Sequence, residues 1–234
     1  MTVAAVMLFE TPEGALADTA GRAAARRMVE AAWAGGATPI VVLSRDPGGE
    51  ITQVLAGSPA LLAEPAPPDA GAVGRIVGGI RLAAAQVSET DAVLVWPGQM
   101  AWVDAETVTS LIERHGVERE AVLRPQYEGT AGWPALVPME QLDVLAHLPT
   151  ELRLDELFER LAALLPTSLF DTGDPGTVHD RSVAHDDLPP YSGPPEPARQ
   201  APEWGAAAAE APDESPLEGP ALAPYGQAAD PESD

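Results

Sequence analysis

The densest set of side chains able to do chemistry is "FDTGDPGTVHDRSVAHDDL", residues 170–188. It holds Asp171, Asp174, His179, Asp180, His185, Asp186 and Asp187. Carboxylates and imidazoles at this density could ligate Mg2+, Mn2+ or Zn2+, with Asp180 as the candidate ligand. The spacing fits no established metal motif. The competing reading is a polar crossover, with Asp186 or Asp187 capping its end. A second stretch, "VLVWPGQMAWVDAETVTSLIERH" at residues 93–115, poses the opposite puzzle. An apolar run stops at Pro97-Gly98 and an acid-led helix starts soon after, the arrangement at which α/β proteins gather ligands. Yet the loop offers Gln99, Met100 and Ala101, none of them a strong acid, base or metal ligand.

Other chemistries are excluded or left without support. All 13 basic residues are arginine, so a phosphate loop built on Gly-Lys is ruled out. The first apolar run leads into "ETPEGALADTAG", with Glu10, Glu13 and Asp18 and one glycine before Gly21. Carboxylates there repel a triphosphate unless Arg22, Arg26 or Arg27 turns inward. Helical spacing puts those arginines on a solvated face instead. No GxSxG elbow is present, and His115, His147, His179 and His185 are scattered. His115 falls in the last turn of a helix, where the dipole favours a cation. Cysteine is absent, which removes thiolate nucleophiles, thiolate metal sites and disulfides.

The elements that must position these residues alternate in type. "VAAVMLF", "TPIVVLS", "ALLA", "DAVLVW", "AVLRPQY", "WPALVP" and "TSLFDTG" read as strands. "DAVLVW" is nearly continuous in apolar residues, as suits a strand buried on both faces. "AGRAAARRMVEAAWAGG" reads as a helix that stops at Gly35-Gly36, and "AVGRIVGGIRLAAAQVS" as a second. "DAETVTSLIERHG" is a third, with Asp104 as N-cap and Gly116 as its stop. "MEQLDVLAHL" and "LDELFERLAALLP" complete the set as amphipathic helices. Strands alternating with helices imply an α/β fold, a mostly parallel sheet covered on both faces, with a mixed edge from the late pair of strands.

The formal net charge of −23 argues against a nucleic-acid or anionic-membrane surface. "MTVAAVMLFE" has no basic n-region and reads as a buried first strand. No apolar stretch approaches the roughly 20 residues of a membrane helix. The expectation is a cytoplasmic protein. From Pro189 onward Pro, Ala and acidic residues dominate, which predicts a domain over 1–188 and a disordered acidic tail over 189–234. Trp204 and Tyr225 are the tail's candidate anchors for a protein partner.

The order of these pieces resembles the MobA-like nucleotidyltransferase domain, especially its MocA-like cytidylyltransferase branch. "PGQMAWVDAETVTSLI", "YEGTAGWPALVP" and "DTGDPGTVHD" carry the resemblance most specifically, and it covers most of residues 3–188. It implies a three-layer α/β/α sandwich, Rossmann-like and of the GT-A-like nucleotidyltransferase type. It implies transfer of CMP or GMP from an NTP to a phosphorylated acceptor such as molybdopterin, with Mg2+ in attendance. The nucleotide-binding positions it implies are Gly21, Arg22, Gly74, Arg75, Gly98 and Gln99, and the metal positions are Asp180 and Asp174. This chain departs from the family pattern where the chemistry lies. The glycine-rich loop is acidic and its lysine is missing. Gln99 replaces the metal-binding aspartate and Ala101 the proline that follows. After Asp180, the residues Ser182, Val183 and Ala184 stand where Asp, Thr and Pro belong. The expected outcome is a degenerate member that binds a nucleotide or pterin, or serves molybdoenzyme maturation as an accessory. An active transferase with an altered site is the alternative.

Overall fold

Two runs without a polar interruption, Val3–Leu8 (β1) and Ala92–Pro97 (β4), are buried at every position and form the centre of the sheet. The structure, a computed structural model, describes residues 1–193. β1 pairs in parallel with β4 and with Ile40–Leu43 (β2), which pairs in parallel with Ala60–Ala63 (β3). The other half contains Val122–Tyr127 (β5), Thr130–Ala131 (β6), Ala135–Pro138 (β7) and Thr167–Asp171 (β8). β7 is antiparallel to both β4 and β5, β6 turns back on β5, and β8 lies parallel to β5. The mixed character expected at an edge therefore sits inside the sheet. The reason is the short return from β5: a strand that comes straight back must run antiparallel.

Helices cover both faces. Pro12–Leu16 (α1), Ala24–Ala34 (α2) and Glu50–Val54 (α3) pack among themselves, and α2 also packs on Ala105–Val117 (α5). Gly71–Gln86 (α4) lies on β1 and β2 and meets Leu142–Ala146 (α6) and Leu154–Leu164 (α7). The large buried side chains include Trp96, Phe158, Met7, Met28, Leu94 and Leu111.

Several boundaries differ from the sequence reading. α1 and α3 are short helices fixed by local caps that apolar periodicity does not reveal. The Thr11 side chain accepts from Gly14 N–H, and both Asp46 oxygens accept from the first turn of α3. α5 does not stop at Gly116 but runs one residue further, with Asp104 capping its start as expected. "MEQLDVLAHL" breaks into a 3-10 turn at Met139–Gln141 followed by the five-residue α6. The domain also reaches beyond residue 188. Tyr191 Oη donates to Glu106, and Ser192 N–H donates to the Gly173 carbonyl. The remainder of the expected tail, with Trp204 and Tyr225, lies outside the described residues. No helix among the described residues is long and apolar enough to cross a membrane.

Candidate functional site

The sheet register builds a corner where β1 and β4 end side by side. Leu8 stands opposite Pro97, so Phe9 and Glu10 emerge next to Gly98 and Gln99. The Gly98 N–H continues the ladder by donating to the Leu8 carbonyl. A Cβ at Gly98 would lie 2.3 Å from the Phe9 ring, so the close approach of the two loops requires glycine. Below them the buried Trp96 donates its indole N–H to the Met100 carbonyl at 2.8 Å, which fixes the turn that presents Gln99. Gln99 itself is exposed.

Two hollows open at this corner, of about 420 and 390 Å3, and they share Leu8, Glu10, Gln99 and Arg153 as walls. The first extends to Arg75, Glu151 and Asp155. The second extends to Gly14, Gly98, Asp180 and Arg181. Together they form one cleft at the carboxyl ends of the central strands, the general ligand position in open α/β sheets.

The segment after β8 closes the second hollow. It is anchored by Asp174, only 2% exposed. One Asp174 oxygen accepts from Asp104 N–H at 2.9 Å and Thr107 Oγ1 at 2.7 Å, and the other accepts from Gly176 N–H at 2.8 Å. Burial raises the pKa of this carboxyl above the usual range, against the three hydrogen bonds that favour its charged form. From this anchor the chain crosses the β4–α5 loop. Arg181 N–H donates to the Gln99 carbonyl at 2.8 Å, and its guanidinium donates to the Gly98 carbonyl at 3.1 Å. Trp102 Nε1–H donates to the Val183 carbonyl at 3.1 Å. Asp180 turns one oxygen back on Ser182, whose hydroxyl and N–H hold its pKa below the usual carboxylate value.

The sequence-derived candidates divide accordingly. Gly98, Gln99, Arg75 and Asp180 line the cleft. Gly74 precedes Arg75 in α4 and is not among the lining residues. Gly21 and Arg22 lie elsewhere, on the turn before α2, where Gly21 N–H donates to Asp18 and the Arg22 guanidinium pairs with Glu30 at 2.6 Å. The Arg22 charge is thus matched by Glu30, and neither residue is among those lining the two hollows. Arg153 and Arg181 are the residues that sequence reasoning missed. Arg153 sits at the N-cap of α7, where the helix dipole disfavours a cation, and that anomaly was a usable signal. Arg181 hid inside the acidic cluster, next to Asp180.

A divalent metal does not fit these residues. Asp174 is buried with both oxygens engaged, Asp180 has one oxygen engaged, and Gln99 offers a neutral amide. The Arg181 guanidinium occupies the same corner. Among the described residues, no group of three or more His, Asp or Glu could hold a metal ion.

Comparison with known proteins agrees with the fold. The family model of the MobA-like NTP transferase domain matches residues 13–164. None of the curated proteins matches the sequence. A nucleotidyl transferase from Methanothermobacter superposes with a TM-score of 0.61 at 16% identity, covering 80% of this chain and 94% of that one. The 4-diphosphocytidyl-2C-methyl-D-erythritol synthase of Anaerococcus prevotii does so at 0.57 and 10% identity, covering 80% and 94%. Rv0371c of Mycobacterium tuberculosis, crystallised in complex with manganese, gives 0.55 at 14% identity, covering 73% and 86%.

Proposed function

Because the chain belongs to the MobA-like NTP transferase domain family, we propose that it is a ligand-binding member that has lost efficient nucleotidyl transfer. It acts as an accessory protein for a nucleotide or a phosphorylated pterin, in a cytoplasmic setting such as molybdenum cofactor or molybdoenzyme maturation. The observation that carries this reading is the metal corner. In-line attack on an α-phosphorus needs a cation that spreads the developing charge and holds both oxygens. Here Gln99 and Asp180 present a single free carboxylate oxygen between them, and no lysine exists to assist. The acidic segment beyond the described residues is proposed as a contact for a protein partner.

The second reading is an active transferase that moves CMP or GMP to a phosphorylated acceptor with Mg2+. It is favoured by one feature: Arg75, Arg153 and Arg181 all line the same cleft. Calorimetry with CTP and GTP, paired with an assay of pyrophosphate release, separates the two. Our reading expects binding of one nucleotide without pyrophosphate release when Mg2+ and a molybdopterin acceptor are supplied. It also expects Gln99→Asp alone to restore no turnover, because the second carboxylate and the lysine are still missing. Pyrophosphate release by the unaltered protein would overturn it, and failure of both nucleotides and the pterin to bind would remove the cleft from consideration.

A further inference from the structure

The geometry points to Arg181 as a built-in cation at the corner where the family holds a metal, so that the cleft binds a phosphate ester without any divalent ion. This rests on the binding reading above and adds the identity of the charge that receives the phosphate. Three observations support it independently of that reading's own.

The first is position. The Arg181 backbone N–H and guanidinium are tied to the Gln99 and Gly98 carbonyls respectively, so the charge is held against the loop that follows β4. A guanidinium is planar and carries five donors, and one bond to Gly98 leaves the others for a ligand. The second is room. A Cβ on Gly14 would stand 3.3 Å from the Arg181 terminal nitrogen, so the bare backbone there leaves the guanidinium uncrowded in the hollow. The third is the absence of a direct ion pair. The chain carries 36 acidic residues, and Arg22, Arg26 and Arg114 are each paired with a glutamate within 3 Å. Arg75, Arg153 and Arg181, like six other arginines among the described residues, make no ion pair, and these three share one cleft. Half-buried Arg75 and Arg181, with no carboxylate within salt-bridge distance, keep donors that an anion from outside can take.

The cleft also carries Glu10, Glu151, Asp155 and Asp180. These repel a bare polyphosphate and accept hydrogen bonds, so the matching ligand carries hydroxyl or amino groups beside its phosphate. A nucleoside or sugar monophosphate has that chemistry.

The test is calorimetric titration of the full chain with CMP, GMP and inorganic phosphate, once in chelator and once in Mg2+. We expect a monophosphate ester to bind equally well in both and more tightly than inorganic phosphate. Arg181→Gln should weaken it by at least about tenfold, the scale of a charge-assisted hydrogen bond. Arg181→Lys should recover part of the loss, and Arg22→Gln, outside the cleft, should have no effect. Thermal melts confirm that each variant is folded. Binding that appears only with Mg2+, or that survives Arg181→Gln, overturns the inference while leaving a binding protein. Binding of none of the three probes in either buffer, together with no binding of NTP or pterin, removes the binding reading itself.

Discussion

The Asp174 carboxylate joins the loop after β8 to the first turn of α5 through its bonds to Asp104 N–H, Thr107 Oγ1 and Gly176 N–H. In sequence it has the look of a metal ligand, because an aspartate between two glycines in an acidic cluster suits a cation. Its surroundings give it a different role, since three donors converge on it and almost no solvent reaches it. The same loop carries Arg181 to the cleft, so Asp174 is a positioning residue for that guanidinium. Asp174→Asn tests the assignment. An amide offers one acceptor where the carboxylate offers two, and its NH2 would face either Gly176 N–H or the Asp104 and Thr107 donors. The loss should be about 1–3 kcal/mol in urea unfolding, the cost of an unsatisfied buried donor. A variant as stable as the parent would show that the loop is held by something else.

At the scale of elements, α5 connects the two ends of the sheet. Its N-terminus meets Asp174, and its last turn buries His115 beside a hollow of about 210 Å3 lined by Met1, Thr90, Asp91, Arg119 and Glu140. The helix dipole favours a cation at His115, but the residue is 3% exposed and its Nδ1 has no hydrogen-bond partner. Burial chiefly, with Arg119 adding to it, lowers its pKa against the upward pull of Asp91 and Glu140. The folded chain thus holds His115 neutral below the ordinary value of 6.5. As pH falls through 6.5 the unfolded chain takes the proton first, so stability is complete above that pH and declines below it. Each pH unit between the two pKa values costs about 1.4 kcal/mol. Urea midpoints at pH 7.5 and 5.5 should therefore separate for the parent chain and converge for His115→Leu; equal slopes in both would refute the assignment. The contrast shows what was legible in the sequence. Strand and helix order follow apolar periodicity, a property of neighbouring residues, and β1, β2, β4, α2 and α5 lie where that pattern puts them. The corner of Gly98 and Gln99 was legible too, because a strand end beside a glycine turn is local. Arg181 and the burial of His115 depend on which distant segments meet, and no local pattern carries that information; Arg153 left one local trace, a cation at a helix N-cap.

At the scale of the whole molecule, charge acts in two opposed ways. A net charge of −23 repels itself in the compact state, and salt screens that repulsion. Screening shortens the reach of a charge from about 30 Å at 0.01 M to about 8 Å at 0.15 M. Raising NaCl over that range should therefore raise the melting temperature of the unliganded chain. Inside the cleft Arg75, Arg153 and Arg181 stand among Glu10, Glu151, Asp155 and Asp180, and an anion in direct contact with the arginines is held through charges that the same salt screens. Phosphate-ester affinity should fall as the melting temperature rises. Differential scanning fluorimetry and calorimetry on one salt series measure both. A cleft that worked through apolar contact alone would keep or gain affinity with salt, so parallel upward trends would exclude an electrostatic site. Opposed trends would show that direct arginine contacts, and not the carboxylates around them, decide how the cleft responds to salt.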